Sequence, residues 1–364
     1  MNDQRIRQHL TSHPPRVQGL CGLVIGMGES GQATARLLLH ENANVWAYDS
    51  DPKKLEVWKS QGLRIFTGEL TPQAGIDFCV ISPGVPPFGA FFDWLHRENI
   101  PLLGEMELAY RFLQRPIVAI TGTNGKTTVT GMIAHILQQC GYAAQEVGNV
   151  GFPVAQAALE NTRNSQDPLV MEVSSFQCET FDQFHARVAV ITNLAPDHLD
   201  RYSSEKEYYE TKFKIVKKQA PNEALWLGPR VEDECPAWVP SRKRTFAIGE
   251  LGSDGLFFID GTVIHRDGLT EERRSQPSLD KIPSQQVLNA LAAVGAAISY
   301  GVPLTEALHA LESFQPLPHR LEFVAEVNGV RCYNDSKATN VHAVQAALTS
   351  LPGPIRLIAG GRPK

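Results

Sequence analysis

The sequence predicts an α/β protein whose domains are built on parallel sheets. Three observations carry this. Apolar strands alternate with helical stretches over residues 20–105 and again over residues 117–227, which is the pattern of βαβ units. A glycine-rich turn, Gly26-Met27-Gly28-Glu29-Ser30-Gly31, follows the first strand. A second, Gly122-Thr123-Asn124-Gly125-Lys126-Thr127-Thr128, joins a β-branched run to a helical pattern.

Taken in order, the first half offers strands at residues 20–26, 43–49, 63–66 and 78–81, with helical patterns between them. A helix running to about Leu113 leads to a second unit that opens at Pro116. Its strands fall at residues 117–121, 169–173, 188–193 and 224–227. A polar, glycine-rich stretch over residues 248–275 reads as hairpins inserted before the last helices of that unit. Ser284 reads as the N-cap of a helix through Val287, Leu291, Val294 and Ile298, closed by Gly301. Gln315-Pro316-Leu317-Pro318 reads as a linker. Beyond it the pattern gives strands at 321–327 and 330–334, a helix near 341–348 and a strand at 355–359.

At 364 residues, two or three domains are the natural expectation. The composition is that of a globular protein, and the formal charge of −5 gives no footprint for nucleic acid or an anionic membrane. The longest apolar stretch, residues 287–298, is too short to span a bilayer, and the N-terminus has no apolar signal region. The six cysteines show no metal-binding spacing and read as reduced, mostly buried thiols. A cytoplasmic monomer is the expectation.

The second glycine loop is the most specific signal. A strand, a glycine loop and a helix start aim backbone N–H groups at one point, where the helix dipole favours an anion. Lys126 and the hydroxyls of Thr127 and Thr128 suit triphosphate oxygens and Mg²⁺. The pattern differs from the common P-loop because Ile120 stands where that loop has its first glycine. Glu172, in Met171-Glu172-Val173-Ser174-Ser175-Phe176-Gln177, ends a strand at the same sheet edge and can hold Mg²⁺. Asp197-His198-Leu199-Asp200-Arg201-Tyr202 follows another strand, which makes His198 a candidate for a second metal position. On spacing alone Lys212 is a surface lysine.

The first loop, G-x-G-x-x-G followed by Asp49 at the end of the next strand, suits a dinucleotide. Ser82-Pro83-Gly84 follows the fourth strand and faces the same edge. This unit alone leaves NAD and other nucleotides open.

Together the motifs T-G-T-N-G-K-T-T, M-E-V-S-S-F-Q, D-H-L-D-R-Y, Y-x-x-x-K, L-P-H-R-L-E and N-D-S-K-A-T-N stand in the order found in the Mur ligases, and the chain resembles that family over essentially its whole length. The nearest resemblance is to the branch that adds D-glutamate to UDP-N-acetylmuramoyl-L-alanine. It implies a Rossmann-like UDP-binding domain (residues 1–112), a central P-loop ATPase domain (113–315) and a partial Rossmann-like C-terminal domain (316–364). It also implies an ATP-dependent ligase of peptidoglycan precursor synthesis, with two Mg²⁺ ions.

Residue by residue, the resemblance assigns Gly122, Thr123, Asn124, Gly125, Lys126, Thr127, Thr128, Asn289, Arg320 and Asp335 to ATP. Thr127, Glu172, His198 and a carbamylated Lys212 would serve the metals, and Lys126, Glu172, His198 and Lys212 the catalysis. Glu29, Ser30, Asp49, Ser82, Pro83, Gly84, Asn149, Ser174 and Gln177 would meet the UDP substrate, and Lys337, Thr339 and Lys364 the D-glutamate. Gln286 stands where the family usually has an asparagine beside the adenine, while Asn289 matches. Family members continue past Lys364, so weak or absent activity of this 364-residue form is expected.

Two other classes compete. An NAD-dependent oxidoreductase would use Gly26, Gly28, Gly31 and Asp49 but leaves the P-loop and Glu172 without a purpose. A nucleotide-binding protein without catalysis would bind ATP and release no phosphate.

Overall fold

The computed structural model describes residues 3–160, 166–249, 252–315, 317–351 and 353–360. Among these residues three sheets form.

The chain opens with helix α1 (Asp3–Thr11), which the sequence reading did not anticipate in that polar segment. It then enters β1 (Cys21–Ile25), α2 (Glu29–His40), β2 (Asn44–Tyr48), the short α3 (Lys53–Glu56), β3 (Arg64–Phe66), β4 (Phe78–Ile81), α4 (Ala90–Arg97), β5 (Leu102–Gly104) and α5 (Glu105–Phe112). The five strands pair in the parallel order β3-β2-β1-β4-β5. The order reverses between β1 and β4, so the loops after these two strands open the crevice where such sheets take ligands. Strand β5 is a fifth strand that the sequence reading merged into the helix start.

The central sheet has nine strands. Its elements are β6 (Ile117–Thr121), α6 (Lys126–Gln139), β7 (Gln145–Gly148), α7 (Val154–Leu159), β8 (Leu169–Glu172), α8 (Ser175–Cys178), β9 (Val188–Ile191), α9 (Glu205–Phe213), β10 (Ala224–Leu227), β11 (Arg242–Ile248), β12 (Gly255–Ile259), β13 (Thr262–Asp267), β14 (Thr270–Ser275), α10 (Ser284–Tyr300) and α11 (Leu304–Glu312). The order is β14-β13-β12-β11-β10-β9-β6-β8-β7. Strands β6 to β12 run parallel, and β13 and β14 add an antiparallel hairpin edge. The stretch expected as an insertion is therefore a continuation of the main sheet. Apolar residues such as Phe246, Leu256, Phe258 and Val263 drive this, because they join the core of the same sheet face.

Buried strands Ile117–Thr121, Leu169–Glu172 and Val188–Ile191 are apolar on both faces, as a sheet covered by helices on each side requires. One face packs on α6, α10 and α11. The other face forms a single core with α2 and α5 of the first sheet, through Ala155, Ala157 and Ala158 of α7. Helix α10 starts at Ser284, but Pro283 is its cap residue and no side chain caps it, so the expected Ser284 cap is displaced by one position. Pro283, with its φ fixed at −55°, enters the helix from extended backbone. Gly301 ends the helix in a left-handed conformation, as expected.

Gly295 of α10 lies against Trp226, where a Cβ would meet three ring atoms at 2.8–2.9 Å. Gly295→Ala gains about 1 kcal/mol in helix propensity but overpacks this contact by about 1–3 kcal/mol. A net loss of up to about 2 kcal/mol in urea unfolding is expected, and a raised midpoint would refute this packing argument.

The last segment holds β15 (Glu322–Val327), β16 (Val330–Asn334) and α12 (Val341–Ser350). The two strands form an antiparallel pair, and α12 packs against α10. The strand expected at 355–359 is not formed: among the described residues these pair with no neighbour in a sheet. Apolar, β-branched composition suits a strand, but pairing of its N–H and C=O groups makes one. Among the described residues no helix is long and apolar enough to cross a membrane.

Candidate functional site

The site begins where β6 ends. Gly122 has φ +137° and a Cβ on it would lie 2.0 Å from Thr192 Oγ1, so only glycine fits here. Gly125, at φ +84°, opens α6. The loop between them is braced by the end of β9. Thr123 N donates to Asn193 O (3.0 Å), Asn124 N to Asn193 Oδ1 (2.9 Å), and Thr192 Oγ1 to Asn124 O (2.6 Å). Thr123 Oγ1 donates to Ala195 O (3.1 Å) and accepts from Ala195 N (3.1 Å). The loop is thus held in shape by the neighbouring strand, with Thr127 and Thr128 half-buried in the first turn of α6. Buried Asn289 lies against Gly125, and Gln286 is on the same first turns of α10.

Two lysine ammonium groups meet at one carbonyl. Lys126 Nζ donates to Gly122 O (3.0 Å) and Thr123 O (2.9 Å), and Lys212 Nζ donates to Gly122 O (3.1 Å). Far from being a surface lysine, Lys212 is 1% exposed and lies 4.3 Å from the Tyr208 ring centroid. Burial lowers its pKa to about 7, and the neighbouring Lys126 charge adds to the shift, with Asp197 opposing it. Burial also lowers the pKa of Lys126, against the opposing pull of Glu172 and Asp197.

Glu172 ends β8 and is 2% exposed. Its Oε1 accepts from Asn149 Nδ2 (2.9 Å), and its backbone O accepts from Asn149 N (2.9 Å). Its Oε2 is buried without a hydrogen-bond partner among the described residues. A carboxylate oxygen in that state is costly unless a cation meets it. His198 adopts φ +54°, an uncommon conformation for a non-glycine residue, and its ring lies 4.7 Å from that of Phe176. Asp197 sits 3.9 Å from His198 Nε2.

The last segment reaches this edge. Arg320 lies between His319 (φ +65°) and Leu321 (φ +47°) and donates to Thr127 Oγ1 (2.8 Å). Asn340 Nδ2 lies 3.1 Å from both Asn124 Oδ1 and Asp197 Oδ2. Asp335 accepts from Leu321 N (2.9 Å), and burial raises its pKa against the opposing effect of that bond and of Arg320. Lys337 and Thr339 are exposed, and Lys364 lies outside the described residues.

Ser174 and Gln177 satisfy each other as a capping box at the start of α8. At the first sheet, Asp49 accepts from Met27 N (2.7 Å) and Asp51 N (2.8 Å) and is 6% exposed. Burial pushes its carboxyl up, but those N–H groups and Lys54 outweigh it, and the pKa is lowered. Glu29 and Gly84 are exposed, and Ser30, Ser82 and Pro83 half-buried, around the crevice.

Comparison with known proteins decides the family. Residues 120–297 match the Mur ligase middle domain. The chain is 37% identical to UDP-N-acetylmuramoylalanine–D-glutamate ligase of Acidobacterium capsulatum, over 94% of this chain and 76% of that protein. The chain belongs to the Mur ligase family. The ligase of the same name from Pelotomaculum thermopropionicum is 38% identical over 94% of this chain and 77% of its own length. Among solved Mur ligase structures, UDP-N-acetylmuramate–alanine ligase of Thermotoga maritima superposes with a TM-score of 0.52 at 19% identity, covering 91% of this chain and 77% of that one. MurF of Acinetobacter baumannii gives 0.54 at 16%, covering 97% and 77%. These structural likenesses speak for the fold alone.

In this Mur ligase the sequence reading missed the residues that join the two sheets. Arg201 pairs with Glu179 (2.6 and 2.9 Å), donates to Pro83 O (3.1 Å) and stacks 4.1 Å over Phe176. Tyr202 OH donates to the same Glu179 (2.8 Å). Arg201 and Tyr202 stood inside D-H-L-D-R-Y and Asn340 inside N-D-S-K-A-T-N, but their partners are remote in sequence. Only the fold brings them together.

Proposed function

We propose that this chain forms an amide bond at the expense of ATP, joining the carboxylate of UDP-N-acetylmuramoyl-L-alanine to the amine of D-glutamate in peptidoglycan precursor synthesis. The observation that carries the reading is the buried, unpartnered Glu172 oxygen at the sheet edge that also holds the P-loop, Lys126 and Lys212. The identity to ligases of that name supports the substrate pair.

The division of labour follows the three segments. Residues 1–112 hold the UDP end through Glu29, Ser30, Asp49 and Ser82 to Gly84. Residues 113–315 hold ATP on Gly122 to Thr128 with Asn289 near the adenine, and Asn149, Ser174 and Gln177 face the substrate. Residues 316–364 bring Arg320 and Asp335 to ATP and Lys337, Thr339 and Lys364 toward D-glutamate. The chain acts as a cytoplasmic monomer in this reading.

Mg²⁺ fits Glu172, because it uses few protein carboxylates and otherwise keeps water and phosphate oxygens. Glu172 and Thr127 would hold the ion, which would offset charge on the phosphates. A second ion suits His198 only with Lys212 carbamylated, since an ammonium repels a cation. Burial that leaves the Lys212 amine half neutral near pH 7 favours that modification.

The substrate carboxylate attacks the γ-phosphorus, which gives an acyl phosphate and ADP; the amine then displaces phosphate. The protein mainly supplies position and charge. The P-loop N–H groups and Lys126 hold the transferring group, and Arg320 closes on it from the last segment. The test is ADP release with ATP, Mg²⁺ and UDP-N-acetylmuramoyl-L-alanine, with and without D-glutamate. Release that depends on D-glutamate and yields the amide product, even at a low rate, supports the reading. ATP binding with no D-glutamate-dependent release would overturn the reading.

A further inference from the structure

We propose that Glu105 is a protonated positioning residue that ties together the two loops facing the substrate diphosphate, so that affinity for the UDP-linked substrate falls in alkaline solution. The inference rests on the assignment of the first sheet to the UDP end. It uses a residue that the site described above leaves without a role.

Glu105 is the first residue of α5, at the carboxyl edge of the first sheet, and is 7% exposed. It lines a cavity between the Ser82–Val85 turn and the Phe176–Thr180 stretch of the central unit. Ser82 Oγ lies 3.0 Å from Gly26 O and 3.1 Å from Glu105 Oε2. A hydroxyl has one proton, and a carbonyl oxygen can only accept. With Glu105 ionised, Ser82 serves Gly26 or Glu105 and leaves the other acceptor unserved. With Glu105 protonated, its O–H donates to Ser82 Oγ, Ser82 donates to Gly26 O, and every group is satisfied. Ser30, at the start of α2, adds a second nearby hydroxyl that pulls the Glu105 pKa down. Burial, opposed by these serine hydrogen bonds, raises the pKa of Glu105 to about 7.

The chain of bonds joins Gly26 of the G-x-G-x-x-G turn, through Ser82 of the Ser-Pro-Gly turn, to Glu105. The two turns are in close contact: a Cβ on Gly26 would lie 2.9 Å from Ser82 Cβ, and one on Gly31 would lie 3.2 Å from Ser82 Oγ. Movement of one turn therefore moves the other. Among the described residues Glu105 has no cation partner. Glu179 and Arg201 line the same cavity but pair with each other at 2.6 Å. Glu107 and Arg111, on the same helix, pair at 2.6 Å, and Arg111 also donates to Leu10 O. Asp49 is held by backbone N–H groups and Lys54, and Glu29 is exposed on α2. Ionisation of Glu105 thus breaks the relay and places a negative charge beneath a diphosphate whose own charge is constant across this range.

The test is the affinity for UDP-N-acetylmuramoyl-L-alanine, measured by calorimetry at pH 6.5 and 8.5 on the full chain, alongside infrared spectra of the protonated-carboxyl band. In the wild type Kd is expected to rise about tenfold between the two values, with a carboxyl band that is lost over the same range. In Glu105→Gln, whose amide still donates to Ser82, the band and the pH dependence are both expected to disappear. Glu105→Ala, with its fold checked by circular dichroism, is expected to bind weakly at both values. A wild-type Kd that does not change, an equal rise in Glu105→Gln, or the absence of a Glu105-dependent band overturns the proposal. A titrating band with no substrate binding at either pH instead overturns the assignment of the UDP end, and the coupling falls with it.

Discussion

Lys126→Ala is expected to lower kcat about a thousandfold while leaving the unfolding transition nearly unchanged. Among the described residues its hydrogen bonds go to Gly122 O and Thr123 O, two carbonyls of its own loop, so little of the fold depends on it. In the reaction its ammonium offsets charge gathering on the transferring phosphoryl group. Losing about 4 kcal/mol of that stabilisation gives the expected factor. Removing the Lys126 charge also relieves Lys212, whose pKa it lowers, so the variant is expected to hold Lys212 more readily as an ammonium. Near-normal D-glutamate-dependent phosphate release by Lys126→Ala would defeat the phosphate-binding assignment.

Lys212→Ala is expected to be inactive, and added short carboxylic acids to restore part of the rate by occupying the space of a carbamate. The modification needs a neutral amine, which the buried site supplies. The direction with pH follows from the shift. Between about pH 7 and the ordinary 10.5, the unfolded chain holds a proton on Lys212 that the folded chain does not. Stability of the unmodified protein therefore rises with pH across that window, and the burial cost is fully present below it. Carbamate formation is likewise expected to increase as pH rises through 7. Carbon-13 spectra with labelled bicarbonate should show one carbamate signal that is absent in Lys212→Ala. A wild type with no such signal at pH 8, or an active Lys212→Ala, would remove Lys212 from the metal site.

The parallel βαβ pattern, both glycine turns and strands Phe78–Ile81, Ile117–Thr121 and Ala224–Leu227 were legible in the sequence. Short-range physics explains this: buried parallel strands must be apolar, and a strand entering a helix through a tight turn needs glycine at fixed places. Motif order made the family legible, because each motif keeps its local chemistry wherever the chain later folds. The extent of the central sheet was not legible. Residues 242–275 look polar and punctuated, and only the apolar face of their strands, seen against α10 and β10, makes them part of it.

The tertiary structure alone decided the state of the reacting groups. Spacing made Lys212 a surface residue; packing against Tyr208 and Gly122 buries it and lowers its pKa, which depends on desolvation and on a lysine far away in sequence. Arg201, Asn340 and Glu105 lay within or beside recognised segments, yet their partners Pro83, Asn124 and Ser82 are 118, 216 and 23 residues away. Local sequence specifies which side chains are present and which backbone turns are possible. Burial, proton sharing and charge coupling are properties of neighbours, and the neighbours are chosen by the packing of the two sheets.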